Sequence, residues 1–186
     1  MRPGLYKVDI VVKDVNNPDH IGHQTFSINV PKYDDDLLGH SSLILADEMH
    51  RVPSKEIGAG TFVIGDTYVR PRVATVPPGG GAPVPAKFSR AQSLNFWMQV
   101  YNLGIDGKSK QNDATINYQI TNLDTNKAVL INTESTTKLN PNAGQLTLEK
   151  SLPLASLAPG QYQVSIKVND GITKQQTEES AKFSVN

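Results

Sequence analysis

Gly39-His40-Ser41-Ser42-Leu43 sets a serine beside a histidine, the pairing that nucleophilic acyl transfer uses. A nucleophile elbow needs Gly-x-Ser-x-Gly at a strand-to-helix turn. Leu43 stands where the second glycine belongs, so the stretch reads as a connecting segment. His20 and His23 have a spacing that two metal ligands use, but no third ligand lies nearby, and His40 and His50 are isolated. Asp34, Asp35 and Asp36 with Asp47 and Glu48 supply the oxygen ligands that calcium takes. Their spacing fits no calcium loop, and a solvated acidic turn is the expectation. Gly58-Ala59-Gly60 would cradle phosphate only between a strand and a helix, whereas the apolar run Thr61–Gly65 reads as a strand. The expectation is a chain without cofactor or catalytic residues.

Trp97 and Tyr101 are the remaining candidates, as a ligand or partner surface. In the apolar strand 93–103, Leu94, Phe96, Met98 and Val100 alternate onto one face and should be core. Trp97 and Tyr101 then share the opposite face with Asn95 and Gln99. Aromatics there would stack on a sugar or bind a protein, or be covered by the chain's own loops or by the N-terminal hairpin, and internal cover is preferred.

The elements that hold these residues are strands. Thr67–Val76 (with Pro71 marking an edge or a bulge), 93–103, 114–122, 127–134 and 144–152 alternate or are continuously apolar between turn signals. A closing hairpin follows over 161–185. Seven short strands without a convincing helix predict an immunoglobulin-like antiparallel β-sandwich over residues 67–186. Residues 77–85 form a loop rich in Pro and Gly.

The two ends of the chain repeat one another. Pro3, Gly4, Tyr6, Val8, Ile10, Val12 and Asp14 match Pro159, Gly160, Tyr162, Val164, Ile166, Val168 and Asp170 at a constant offset of 156. Phe26-Ser27 matches Phe183-Ser184 at 157. Each copy reads as a hairpin, the second turning at Asn169-Asp170-Gly171, where a tight turn tolerates positive φ. Tyr162 is expected to make a tyrosine corner with backbone near Leu157 or Ala158, and Tyr6 occupies the matching place. Residues 1–66 are therefore read as a partial module: the closing hairpin (1–30) of a sandwich whose earlier strands are missing, plus a connecting segment. The apolar face of that hairpin is expected to pack on the 41–65 segment, where the short apolar runs 41–46 and 61–65 could pair with it, on the second module, or on a neighbouring chain. Gly39 and the Ser-Ser pair favour strand over helix at 37–50.

Eighteen Lys and Arg balance eighteen Asp and Glu, which leaves no basic footprint for nucleic acid. No apolar run is long enough for a membrane helix, so membrane insertion is not expected. Cysteine is absent, removing disulfides and thiolate chemistry. No leader precedes Arg2-Pro3-Gly4, and the opening repeat favours a piece cut from a longer chain.

Ser41–Asp47 ("SSLILAD"), Phe62–Pro71 ("FVIGDTYVRP") and Met98–Asp106 ("MQVYNLGID"), followed by Leu152–Asp170, resemble the C-terminal β region of bacterial GWxTD-domain proteins. Related acidobacterial proteins with von Willebrand A-like domains carry similar segments. The resemblance runs from about residue 3 to the end, with 77–85 as an insertion, and the GWxTD motif itself is absent. It implies an exported, extracytoplasmic multidomain protein with tandem sandwich modules. It carries no catalytic residues over to this chain. The expected role is structural or protein-binding, with other domains of the same chain or a protein as partner and self-association through the N-terminal hairpin. The alternative is a carbohydrate-binding module using Trp97 and Tyr101.

Overall fold

The computed structural model describes residues 2–53, 55, 62–77, 82–139 and 144–186, apart from the side chain of Lys138. Two compact units are present, Met1–Asp35 and Asp36–Asn186.

The first unit is a two-stranded antiparallel ribbon of β1 (Gly4–Lys13) and β2 (Ile21–Val30). Directly paired residues share a face, so Tyr6, Val8, Ile10 and Val12 lie with Ile28, Phe26 and Gln24 on an apolar face. Lys7, Asp9 and Lys13 lie with Ser27, Thr25 and Ile21 on the other. A ribbon cannot cover its own faces, and Ile10, Val12, Phe26 and Ile28 are exposed.

The second unit is an all-β, sandwich-like arrangement of two sheets. One runs β10 (Lys127–Ser135), β9 (Ala114–Asn122), β12 (Gly160–Asp170), β13 (Gln176–Val185), β7 (Ala86–Phe88). The other runs β11 (Leu146–Pro153), β8 (Ser93–Tyr101), β4 (Ile44–Arg51), β6 (Thr67–Pro71), β5 (Val63–Ile64), with β3 (Gly39–His40) also on β8. Every pair is antiparallel except β13 with β7. The inner faces meet over Phe96, Met98, Val100, Leu146 and Leu148 on one side and Ile116, Tyr118, Ile120, Val164, Ile166 and Val168 on the other, all buried as the alternation predicts. Across the layers Phe96 and Tyr118 have ring centroids 6.0 Å apart.

The two hairpins share local chemistry. Tyr162 Oη donates to the Ala158 carbonyl at 2.7 Å, the expected corner, and Tyr6 Oη makes the same bond to Arg2 at 2.7 Å. Asp170 Oδ1 accepts from the backbone N–H groups of Ile172 and Thr173, and Asp14 Oδ1 from those of Asn16 and Asn17. Replacing Tyr162 with Phe keeps the ring stacked on Phe183 and removes one hydrogen bond. Chemical denaturation should register a loss of about 0.5–1.5 kcal/mol.

Four expectations are corrected. The boundary falls after Asp35 and not after residue 66, because β3, β4 and β5 are hydrogen-bonded into the sheet of β8. Segment 37–50 holds strands at Gly39–His40 and from Ile44, as preferred over helix, and Val63–Ile64 is a strand of the second run, but these pair with β8 and β6 and not with the N-terminal hairpin. Asn169-Asp170-Gly171 is not the tight turn: β12 continues to Asp170, and the positive φ of that loop is at Lys174. The return strands align differently too. Tyr6 faces Ile28 where Tyr162 faces Phe183, so Ile28, and not Phe26, is the counterpart of Phe183.

Candidate functional site

Trp97 lies on the outer face of β8, as its parity requires, yet it is only 5% exposed. The cover comes from β4, β6 and β5. Ala46 and Val69 are buried with the indole, and Ile44, Met49 and Ile64 pack against them. Strand order explains why sequence could not show this. In a flat sheet three interstrand spacings, about 14 Å, separate β6 from β11. The Thr67 hydroxyl of β6 nevertheless donates to Glu149 Oε1 of β11 at 2.6 Å. The β4–β6–β5 ribbon must therefore bend back over β8, and the register shift between Ala46 and Glu48, opposite Arg70 and Pro71, provides the bulge that allows it.

Under the ribbon is a cavity of about 260 Å³, lined by Arg51, Asp66, Trp97, Gln99, Thr147 and Glu149 among others. Arg51 pairs with Asp66 and reaches Glu149 Oε2 at 3.2 Å, so its guanidinium is shared between two carboxylates. Trp97 Nε1 is buried with no hydrogen-bond partner among the described residues, while the indole's apolar body is what the ribbon packs on. Tyr101, half-buried, lies beside Gly39 of β3. The preferred internal cover of Trp97 is supplied by the β4–β6–β5 ribbon, so the indole offers no open face on which a sugar could stack. A second, larger cleft of about 500 Å³ is mainly apolar, with Leu43, Leu45, Pro71, Pro85, Ala86 and Ala181 in its walls. Neither cavity brings a serine beside a histidine.

The other candidates are used in the fold. Ser41 Oγ accepts from the Gln99 backbone N–H at 2.9 Å and donates to the Ser42 carbonyl, between β3 and β4. His40 Nδ1 is 2.8 Å from the Ser41 carbonyl and 3.5 Å from Glu179 Oε2. His20 and His23 lie beside different carboxylates, Asp14 and Asp9. Among the described residues no group of three or more His, Cys, Asp or Glu is placed to hold a metal. Asp47 pairs with Arg70 and Arg72, and Glu48 with Arg70 and His50, in place of a shared cation. Gly58-Ala59-Gly60 lies outside the described residues.

Long-range charge contacts close both open sides of the sandwich. At one, Arg72 binds Asp47 and the Lys87 carbonyl and lies 5.0 Å over the Phe88 ring. At the other, Lys150 of edge strand β11 meets Glu134 of edge strand β10 at 2.6 Å. Lys150 pairs with core residue Phe96 and Glu134 with core residue Ile116, so both charges point inward from edge strands, a device that discourages edge-to-edge association. Tyr118 Oη donates to Glu134 at 3.2 Å; burial, and then the adjacent carboxylate, pushes its phenol well above the usual range. These contacts join residues far apart in the chain, and no motif announces them.

The fold and these contacts define an all-β, sandwich-like module whose charged residues act as cross-strand and cross-sheet struts. No protein-family model matches the chain, and no curated protein matches it.

Proposed function

We propose that this chain is a non-catalytic structural or protein-interaction module of an exported, multidomain bacterial protein. The observation that carries the reading is the hairpin of residues 4–30. It repeats the closing hairpin of the sandwich down to the tyrosine bond and the aspartate turn, and it presents an apolar face. Burying such side chains is worth roughly 1.5–3 kcal/mol each, which favours a protein surface as its counterpart. The immunoglobulin-like reading is supported by the Tyr162 corner and by the order β9-β12-β13 in one sheet against β4-β8-β11 in the other. Export and tandem modules rest on the resemblance to GWxTD-domain proteins and on the internal repeat.

The test is a screen of the full chain against ester and glycoside substrates and on a glycan array. The expected result is a flat response from a folded sample. Turnover proportional to protein concentration, or saturable binding of one glycan, would overturn the reading.

A further inference from the structure

Resting on that reading, and naming its partner class, we propose that the outer edge of β1 is a strand-acceptor site. Its occupant is an antiparallel β-strand belonging to a partner polypeptide's sheet, whose apolar face covers Tyr6, Val8, Ile10 and Phe26.

The molecule contains its own template for the completed site. In the second hairpin the edge of β12 away from β13 is paired along its length, Tyr162 to Asp170, with β9. There Val164 faces Ile120, Ile166 faces Tyr118 and Val168 faces Ile116, and the three β12 residues are fully buried. Among the described residues the outer edge of β13 is paired at Phe183–Val185 alone. Displaced by the repeat offset, the same arrangement sets an apolar residue of the incoming strand opposite each of Val8, Ile10 and Val12. It also selects β1 over β2 as the acceptor. The opposite face carries the charged and polar Lys7, Asp9, Lys13, Thr25 and His23, with Asp9 close to both Lys7 and His23, beside the exposed Leu5, Val11 and Ile21, and its charged groups stay in water.

Area decides between a partner sheet and a second copy of the hairpin. Two ten-residue strands make a face about 34 Å by 10 Å, so two hairpins face to face would bury roughly 700 Å². A stable interface needs about 1,200–2,000 Å². A wider sheet that also adds a strand to β1 meets that requirement, because main-chain hydrogen bonds then supplement the apolar contact.

The experiment adds a synthetic peptide of residues 113–123, which carries the β9 sequence, to the full chain and follows amide hydrogen exchange by NMR. The β1 amides not bonded to β2 should exchange at least about tenfold more slowly with peptide, while the outer amides of β2 do not change. Val8→Asp, on the apolar face, should abolish the protection, and Lys7→Glu, on the polar face, should retain it. Cross-strand contacts between β1 and β2 report whether Val8→Asp keeps its hairpin; if it does not, Ile10→Thr, which keeps strand propensity, must weaken protection instead. Three results would overturn the proposal: unchanged β1 exchange at millimolar peptide, protection appearing on β2, or a peptide-free dimer in sedimentation with β1 already protected. Substrate turnover would defeat the parent reading and leave the exchange data standing, whereas unprotected β1 amides in an inert chain would defeat the acceptor site alone.

Discussion

Truncating Ile166 to alanine should cost about 2–5 kcal/mol of folding stability, the range for large-to-small changes at fully buried sites. Ile166 is 0% exposed in the middle of β12, with Tyr118 on one side and Glu179 on the other in register. Both neighbouring strands are held by long ladders, so the backbone cannot close over the missing atoms and a cavity remains. Urea titration of the full chain measures the loss as a fall in midpoint at constant slope. The repeat supplies the control. Ile10 occupies the matching position in β1 but is 45% exposed. Its truncation should change the same transition by no more than about 0.5 kcal/mol, as for other surface changes. Equal losses at the two positions would show that burial is not what separates them.

Asp170→Ala is expected to be the second large loss, on the order of 3 kcal/mol, because it leaves three part-buried backbone donors without their charged acceptor. Asp170 is 3% exposed. Its Oδ2 accepts from the Gly104 N–H at 2.6 Å, while Oδ1 accepts from Ile172 at 2.8 Å and Thr173 at 3.2 Å. One carboxylate thus ties the loop after β8 to the β12–β13 turn. Gly104 fits there for lack of a side chain, since a Cβ would lie 2.8 Å from that of Ile172. Burial raises the carboxyl pKa, but the hydrogen bonds from Gly104, Ile172 and Thr173 outweigh it and hold the group below its ordinary 3.8. A folded-state pKa below the unfolded one means that the unfolded chain binds the proton first as pH falls. The stabilisation is therefore complete above about pH 4 and is lost as pH falls through the depressed value. Melting profiles of wild type and Asp170→Asn should diverge most near neutrality and converge in acid. Asn keeps an oxygen for the turn but cannot accept from Gly104 with its amide nitrogen, so it should lie between wild type and alanine.

What the sequence determined by itself was set by neighbours along the chain. The two-residue period of Tyr162, Val164, Ile166 and Val168 assigned a strand and its buried face, because a strand's side chains alternate whatever covers them. The Tyr162 bond to Ala158 spans a few residues and was legible for the same reason. So was the equivalence of the two hairpins.

The tertiary structure alone decided what each face and edge meets. The sequence of β4 and β5 specifies strands but not whether they join β8 or the N-terminal hairpin, and this moved the boundary from residue 66 to Asp35. Trp97 has the parity of an outer residue and is buried because a bulge near Asp47 turns the β4–β6–β5 ribbon over it. Glu149 with Thr67, and Lys150 with Glu134, meet only once the sheets are assembled. The same alternating pattern buries Ile166 and exposes Ile10, because periodicity states which side chains seek cover and only the assembled sheets supply it.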